Sequence, residues 1–379
     1  MKIVRVRHLF YPDMPRDYFY ELSMHQAKRD NEVHVITWNK KRTKSEFVSD
    51  GFVIHRLNGL NFGLPWAFQD YPYLPTLSST LKQINSDIIH GESHLFLPSL
   101  QALNFAKKFR CPYVVTVHGV YASRGFIVNC SQKTYLRSVS GVFNKADKII
   151  CLTTDDALEL GKYGFLSEKI RIVPNGVDTE RFKPSNVRED NLIVWVGRFV
   201  PEKGVEFLVE AARKLRDQNV AVKVLLIGYG PLKKKLEVLA YNYGLLGRTV
   251  FFSESLNRDQ IANILGKATF FVFPSLKEGL PISILEAASS AVPIVASDIP
   301  GINSVIKHEK SGLLVNPMDA SAIANSILRL LNDESLGRKL GQNARDFMIK
   351  EHSWANVLPK LEQVYLEAIN EASSRMGFS

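Results

Sequence analysis

The chain has 379 residues. One hydrophobic core rarely extends beyond about 250–300 residues, so we expect two domains. With 45% hydrophobic and 23% charged residues and a net charge of +10, the composition excludes an intrinsically disordered or collagen-like chain.

Short β-branched runs alternate with amphipathic stretches, a pattern typical of βαβ units around a parallel sheet. In the first half the predicted strands are KIVRV (2–6), VHVIT (33–37), FVIH (52–55), DIIH (87–90), YVVTV (113–117), KIICL (148–152) and IRIV (170–173). In the second half they are LIVWV (192–196), VKVLLI (222–227), TVFF (249–252), TFFVF (269–273), PIVAS (293–297) and GLLV (312–315). Between them, residues 205–215 repeat apolar side chains at helical spacing. The pattern therefore predicts two α/β domains, each a doubly wound sheet.

The chain start predicts a strand and a charged loop rather than a signal peptide, because Arg5, Arg7 and Asp13 interrupt any apolar segment. No run approaches the roughly 18 apolar residues of a membrane-spanning helix. The three cysteines are odd in number and far apart, which argues against a disulfide framework or zinc site. We expect a cytoplasmic protein.

The first half carries most of the net positive charge, and residues 101–150 hold eight basic side chains against the single acid Asp147. This segment is either a solvated face or a contact for an anionic lipid or the inner membrane face. Nucleic acid is not expected as a partner, since no recognition motif accompanies the charge. A nearby loop either packs on the core or binds sugar or lipid through its aromatic side chains, Phe62, Trp66, Phe68, Tyr71 and Tyr73.

The segment PNGVD at 174–178 breaks both periodicities and is the expected linker. We assign residues 1–184 to the first domain and 185–353 to the second. A last amphipathic stretch within 354–379 follows the second sheet and is expected to pack back on the first domain.

The motif VGRFVPEKG at 196–204 follows a predicted strand and carries Gly197, Arg198 and Lys203. In a doubly wound sheet the carboxyl ends of the strands face the ligand crevice, so both cations would lie where a ligand binds. A guanidinium and an ammonium suit a diphosphate, although such a pair taken alone is more often a solvated one.

A glycine turn, Gly228 and Gly230, follows the next strand and is either a close approach to a ligand or simply a tight turn. Position 233 is Lys233, so the dinucleotide fingerprint G-x-G-x-x-G is not met and a nicotinamide or flavin site is disfavoured.

The segment EGLPISILE at 278–286 is the most informative. Pro281 suits the first turn of a helix, which places Glu278 in the preceding loop and Glu286 inside the helix. Free amides from Gly279 through Leu280 to Ile282 would form an anion seat at the positive end of that helix. Either carboxylate is suited to accept hydrogen bonds from sugar hydroxyls.

These segments resemble the family 4 glycosyltransferases, retaining enzymes of the GT-B architecture, in which two Rossmann-like domains face a central cleft. The matching pieces are TVHG (116–119), ADKIICLT (146–153), VPNGVDTERFKP (173–184), VGRFVPEKG (196–204), LIGYGP (226–231) and EGLPISILE (278–286).

The resemblance implies that residues 1–184 form the acceptor-side domain and residues 185–353 the donor-binding domain, and it implies roles for individual residues. Arg198 and Lys203 would hold the donor diphosphate, Glu278 would contact the transferred sugar and Glu286 would bind the nucleotide ribose. His118 would lie near the reacting sugar. No metal or other cofactor is expected, because cations and a helix terminus would offset the phosphate charge. The loop at 8–15 departs from the family, where paired glycines are common, so the acceptor side is not assigned from it.

The expected reaction moves a hexosyl unit from a nucleoside diphosphate sugar to a glycan or lipid-linked acceptor hydroxyl, with retention, in glycan, glycolipid or cell-surface polysaccharide biosynthesis. Two alternatives stay open at this point. One is a nucleotide-sugar epimerase or hydrolase of the same architecture, and the other is a non-catalytic nucleotide-sugar binding subunit. The donor base, the sugar, the acceptor and the oligomeric state are not defined by the sequence.

Overall fold

A computed structural model describes residues 1–14, 16–63, 70–93, 96–119, 126–254 and 256–375, without the side chains of 126–133. The strands are β1 Lys2–Val6, β2 Glu32–Trp38, β3 Glu46–Ser49, β4 Phe52–Leu57, β5 Leu60–Asn61, β6 Pro72–Tyr73, β7 Ile88–Glu92, β8 Tyr113–Val117, β9 Lys148–Cys151, β10 Ile170–Ile172, β11 Leu192–Arg198, β12 Lys223–Tyr229, β13 Val250–Ser253, β14 Phe270–Phe273, β15 Ile294–Ser297 and β16 Leu313–Val315. The α-helices are α1 Tyr18–Ala27, α2 Leu77–Ile84, α3 Leu97–Phe109, α4 Phe126–Phe143, α5 Thr154–Gly161, α6 Val205–Asp217, α7 Lys233–Asn242, α8 Arg258–Lys267, α9 Ile282–Ser289, α10 Ala320–Asn332, α11 Glu334–Phe347 and α12 Trp354–Arg375.

The chain forms two compact units. Unit 1 comprises Met1–Pro174 and Val357–Ser379, and unit 2 comprises Asn175–Asn356. Residues 175–184, which the sequence grouped with the first domain, belong to unit 2. There the Asn175 side chain donates to the Leu280 carbonyl, and the Phe182 carbonyl accepts from the Ser289 hydroxyl.

The main sheet of unit 1 has the strand order β10-β9-β8-β7-β1-β2-β4-β3 among the described residues. Its pairs are parallel except β3, which runs antiparallel to β4. On one face, Val4 and Val6 pack with Leu81 of α2 and Leu103 of α3. The central strands are thus buried by apolar helix faces, as in a doubly wound domain.

The final helix α12 contributes to unit 1. Tyr365 is fully buried there, and Glu362 accepts hydrogen bonds from the Arg29 guanidinium. Glu367 accepts a further one from Arg171. Helix α12 is therefore held to the rest of unit 1 by a buried ring and by ion pairs around it.

Unit 2 contains a parallel sheet of order β13-β12-β11-β14-β15-β16 within the described chain. The helix predicted at 205–215 is α6, and its repeated apolar residues Val205, Leu208, Ala212 and Leu215 are all buried. Trp195 of β11 lies in the core, stacked on Phe199. Because β11 lies between β12 and β14 in the sheet, the loop that follows β11 lies between the carboxyl ends of those two strands.

All thirteen predicted strands are confirmed, which follows from their β-branched composition. The prediction missed β3, a short edge strand with exposed alternate positions, and the two-residue strands β5 and β6. None of the described helices has the length and apolar character needed to cross a membrane.

Candidate functional site

The carboxyl edge of the unit 2 sheet collects the predicted donor-binding residues. Arg198 is the last residue of β11 and is paired in register with Tyr229 at the end of β12. β14 neighbours β11 on the other side, and the loop after it carries Glu278. Since parallel strands end at the same edge, the sequence motifs converge there as expected.

Lys203 and Glu278 form an ion pair at this edge. Lys203 ends a short helical turn after β11, and its Nζ lies 2.5 Å from Glu278 Oε1. Both side chains are largely buried, and the Lys203 Nζ also lies 5.2 Å from the centroid of the Phe273 ring. The backbone reinforces the contact, because Leu276 donates to the Glu202 carbonyl. Two residues from separate motifs are thus brought into direct contact.

Arg198 differs from Lys203 in its surroundings. Its side chain is exposed, and it has no ion-pair partner within the described residues. The strand end below it is fixed, since the Phe199 amide donates to the Tyr229 carbonyl. The guanidinium is therefore accessible to an anion without a protein carboxylate to displace.

The glycines at this edge allow backbone segments to pack closely. A Cβ on Gly228 would lie 1.8 Å from the Gly197 carbonyl oxygen, and one on Gly230 would lie 2.6 Å from the Phe199 carbonyl oxygen. A Cβ on Gly197 would meet the Trp195 ring at 2.9 Å. Sequence analysis offered a close approach to a ligand or a tight turn as the reason for Gly228 and Gly230. In the structure both glycines lie close to the backbone of β11 and the residue that follows it.

The segment from Gly279 to Ser283 presents unused amide groups. Pro281 immediately precedes the first residue of α9, so Glu278 lies in the loop before the helix and Glu286 inside it. No acceptor in the described part of the chain takes the amide hydrogens of Gly279, Leu280, Ile282 or Ser283. With Lys203 beside Glu278, these amides give the edge the positive character that a phosphate group requires.

Glu286 faces a different cation. Its Oε1 lies 2.7 Å from Arg258 Nη2 of α8, and its side chain is 5% exposed. The Arg258 guanidinium also lies 5.2 Å above the Phe182 ring. Sequence analysis missed Arg258, because its only local signal is an N-terminal capping box at Asn257.

In unit 1, His118 follows β8 and contacts Glu92 at the end of β7. Glu92 Oε2 lies 3.2 Å from His118 Nε2, and the edge of the Phe19 ring packs against the imidazole at 5.0 Å between centroids. The Arg7 guanidinium covers Phe19 at 3.6 Å and is held by Asp17 at 2.8 Å. His118 is thus fixed on two sides.

A buried polar network lies behind Glu92. Glu92 Oε1 accepts from Arg5, whose guanidinium also donates to the Gln26 side chain at 2.7 Å. The Tyr365 hydroxyl lies 3.3 Å from Arg5 and 2.7 Å from His90 Nδ1. Sequence analysis identified none of these residues as a partner of His118.

The histidines of this network are neutral at pH 7. Burial, then Arg7 and Arg5, lower the pKa of His118 to about 3. Burial, followed by Arg5 and His118, holds the pKa of His90 well below its usual value. A cation already occupies this region, so a second positive charge on either imidazole is disfavoured.

The atypical loop at 8–15 is packed inward over its described residues, 8–14. His8 stacks on Phe96 with centroids 3.5 Å apart, and Phe10 joins an apolar cluster with Tyr20 and Phe52. Asp13 forms a buried ion pair with Arg56 at 2.5 Å. Phe10 therefore belongs to the core of unit 1 and anchors this loop, whereas Pro12 is exposed and Pro15 lies outside the described residues.

The aromatic loop is partly exposed. Phe62 and Tyr73, together with Leu60, are exposed on and beside the β5–β6 hairpin, whereas Tyr71 packs near Phe96 with centroids 6.0 Å apart. Trp66 and Phe68, like residues 120–125 of the basic segment, lie outside the described residues.

Family models match the chain in two blocks. The model described as Glycosyltransferase Family 4 matches residues 17–181, and the model described as Glycosyl transferases group 1 matches residues 177–347. The two blocks meet close to the point where unit 1 gives way to unit 2.

Full-length relatives show the same likeness. An uncharacterised glycosyltransferase of Methanocaldococcus jannaschii is 28% identical over 370 residues, covering 95% of this chain and 96% of the relative. The UDP-Gal:alpha-D-GlcNAc-diphosphoundecaprenol alpha-1,3-galactosyltransferase of Escherichia coli is 28% identical over 329 residues, covering 79% and 80% respectively.

Solved structures with the same fold cover nearly the whole chain. Sucrose-phosphate synthase from Thermosynechococcus elongatus superposes with a TM-score of 0.80 at 22% identity, over 98% of this chain and 99% of that one. Anabaena HepE, solved with UDP and glucose, gives a TM-score of 0.76 at 17% identity, over 96% and 98%.

Proposed function

The chain belongs to family 4 of the nucleotide-sugar-dependent glycosyltransferases and has the GT-B fold, and from this premise we propose that it is a retaining hexosyltransferase. Its membership confirms the resemblance found in the sequence. The proposed donor is a UDP-hexose, and the proposed acceptor is a hydroxyl of a lipid-linked glycan.

The observation that carries this proposal is the Lys203–Glu278 pair beside four backbone amides that have no acceptor in the described part of the chain, those of Gly279, Leu280, Ile282 and Ser283. Leaving-group departure is the hard step in glycosyl transfer, because negative charge grows on the diphosphate as the glycosidic bond lengthens. Fixed cations and N–H dipoles aimed at that charge stabilise the transition state more than the ground state. Arg198 and Lys203 supply the cations, and the amino end of α9 supplies the dipoles.

We assign Glu278 to the transferred sugar, Glu286 to the ribose and His118 to a substrate hydroxyl. In a front-face mechanism, the leaving diphosphate oxygen accepts the proton of the acceptor hydroxyl while the new glycosidic bond forms on the same face. The cations at the diphosphate take the electrostatic role that a divalent metal plays in other transferases, so transfer should persist in EDTA.

The UDP donor is supported by the relatives. The E. coli galactosyltransferase uses UDP-Gal and a diphosphoundecaprenol-linked acceptor, as its name states, and HepE was solved with UDP.

A lipid-linked acceptor at an anionic membrane is supported by two features of this chain. The hairpin exposes the apolar side chains of Leu60, Phe62 and Tyr73. The end of α3 carries the cations Lys108 and Arg110. Binding to anionic liposomes at low salt tests that surface, and absence of binding would contradict it.

The donor is tested first by a thermal-shift panel of UDP-, GDP- and ADP-sugars, since a ligand that binds only the folded state raises the melting temperature. We expect UDP-sugars to give the largest shift. The selected donor is then incubated with a short-chain diphospholipid-linked sugar, and the product is analysed by NMR for an α-linked hexose. Release of free sugar or an epimerised donor, with no transfer, would overturn the proposal.

A further inference from the structure

Glu92 is a buried carboxylate whose two oxygens serve different partners. Oε1 accepts from the Arg5 guanidinium, and Oε2 lies 3.2 Å from His118 Nε2. The carboxylate is 2% exposed. As the ion-pair partner of Arg5, Glu92 presents only hydrogen-bond acceptors, so the hydrogen in the contact with His118 belongs to the imidazole.

His118 is neutral at pH 7 because burial and the nearby arginines lower its pKa to about 3. A neutral imidazole carries one N–H, and the contact with Glu92 places it on Nε2. Nδ1 is then a lone-pair acceptor. It has no hydrogen-bond partner within the described chain, and a quarter of the side chain is exposed.

The network behind Glu92 fixes the direction of this bond. Arg5 is anchored by Gln26 and by the Tyr365 hydroxyl, so it holds Oε1 in place. Tyr365 also contacts His90 Nδ1, and His90 Nε2 contacts the Thr116 hydroxyl at 2.7 Å. Because the Tyr365 oxygen accepts from Arg5 and Gln26, its own hydrogen is directed to His90 Nδ1. The hydrogen of the neutral imidazole is then on Nε2, facing the Thr116 hydroxyl. Each of these hydrogen-bonding groups therefore has a partner, and the network places no proton on Glu92.

The backbone beside Glu92 is strained. Ser93 has φ +96°, a conformation that residues other than glycine rarely adopt, and its amide donates to the Thr116 carbonyl at 3.0 Å. Such a conformation is retained where the surroundings over-determine it. Here it turns the chain directly after Glu92, next to the strand that leads to His118.

We propose that Glu92 is a positioning residue that fixes His118 as the Nε2–H tautomer and so presents Nδ1 as a hydrogen-bond acceptor to a substrate hydroxyl. The role of the hydroxyl rests on the proposed function, whereas the tautomer does not. Glu92 itself contacts no substrate. The carboxylate acts through the imidazole, as outer groups do for metal-bound histidines.

The tautomer is measured on the full chain without any substrate, by nitrogen-15 NMR of labelled histidine side chains. We expect His118, assigned by comparison with His118→Gln, to show a bare Nδ1 and a protonated Nε2 at pH 7, unchanged at pH 5. An Nδ1–H tautomer or an imidazolium at pH 7 would overturn the proposal. Because no turnover is needed, this result is independent of whether the protein transfers a sugar.

The functional consequence is tested with Glu92→Gln and with the double variant Arg5→Gln, Glu92→Gln. A glutamine amide can both donate and accept, so the His118 tautomer should become mixed in both variants. We expect kcat/KM to fall roughly 10–100-fold, the usual scale for an outer positioning group. Glu92→Gln alone leaves Arg5 buried without its carboxylate and is expected to be less stable, whereas the double variant removes both charges.

The double variant separates positioning from folding. If Glu92 is only structural, recovery of the melting temperature in the double variant should restore activity as well, and that outcome would overturn the proposal. A pure Nε2–H tautomer in the double variant would do the same. Asp147→Asn is the matched control, because Asp147 is another buried carboxylate of unit 1, paired with Arg375 at the amino end of β9. We expect it to lower stability without changing the His118 tautomer or kcat/KM.

Discussion

Lys203 Nζ lies 2.5 Å from Glu278 Oε1, so the cation assigned to the diphosphate and the carboxylate assigned to the sugar are bound to each other. A nucleoside diphosphate must therefore share or replace a carboxylate at Lys203. Arg198 carries no such partner among the described residues. The two cations should respond differently to the loss of Glu278.

Glu278→Gln separates diphosphate binding from transfer. Removing the carboxylate frees Lys203, so UDP should bind about two- to fivefold more tightly, the scale of a partly exposed ion pair. Turnover should nonetheless fall roughly 10²–10³-fold, because a contact made at the sugar in the transition state is lost. Calorimetry with UDP and a transfer assay measure the two effects, and weaker UDP binding would contradict the assignment.

Lys203→Met should weaken UDP binding and also lower turnover roughly 10²–10³-fold, the loss associated with one preorganised electrostatic contact. Lys235→Ala is the matched control, since Lys235 is an exposed cation on α7 of the same unit. It removes the same charge from the chain and should leave both measurements unchanged. Equal losses in the two variants would mean that only net charge matters.

Gly228→Ala should destabilise unit 2 and abolish donor binding. Its new Cβ would lie 1.8 Å from the Gly197 carbonyl oxygen, which is backbone and cannot move aside easily. We expect a loss of about 3 kcal/mol or more in urea unfolding. Gly247→Ala is the control, because Gly247 also has positive φ but no atom within 4 Å of the added Cβ, so it should lose only about 1 kcal/mol. Similar losses would show that strain rather than contact dominates.

Most of the fold was predictable because thirteen of the sixteen described strands have a local sequence signal. Runs such as YVVTV and KIVRV are β-branched and became β8 and β1 with the predicted bounds. A different local signal, Pro281 at the start of a helix, placed Glu278 before α9 and Glu286 within it. The motifs converge because parallel strands share one carboxyl edge, which follows from the fold class alone.

The partners of the motif residues were not predictable in this way. Glu92 meets His118 because β7 and β8 are neighbours in the sheet, and Tyr365 meets Arg5 although 360 residues separate them in the chain. Arg258 meets Glu286 through the packing of two helices. No spacing rule encodes such contacts. Phe10 of the loop at 8–14 is likewise buried because Tyr20 and Phe52 pack around it.

The assignment of Glu286 to the ribose predicts a dependence on the ribose hydroxyls. Glu286→Gln should weaken UDP binding roughly tenfold, since hydrogen bonds to a charged group contribute about 1.5–3 kcal/mol. With 2′,3′-dideoxy-UDP, the same substitution should have little effect, because the hydroxyl donors are already missing. An equal loss with both nucleotides would place Glu286 elsewhere. Replacing the partner of Glu286, Arg258→Met, should likewise raise the dissociation constant for UDP and have little effect on that for 2′,3′-dideoxy-UDP.

The stability of unit 1 should fall in acid because His8 is held neutral. Burial, then Arg7 and Lys40, lower the pKa of His8 to about 3, whereas the unfolded chain titrates near 6.5. Between these values the unfolded state binds the extra proton, so stability is full above about pH 6.5 and is lost as the pH falls towards 3. From pH 7 to pH 5 the contribution of His8 is about 2 kcal/mol.

His8→Phe should preserve the stacking on Phe96 while removing the titrating group. We therefore expect its urea-unfolding free energy to drop about 2 kcal/mol less than that of the wild type between pH 7 and pH 5. His308→Phe is the control, because His308 lies in unit 2, outside this cluster. His308→Phe should keep the acid sensitivity of the wild type. If His8→Phe keeps it as well, the His8 imidazole is not the source of that sensitivity, and its stacked position does not lower its pKa.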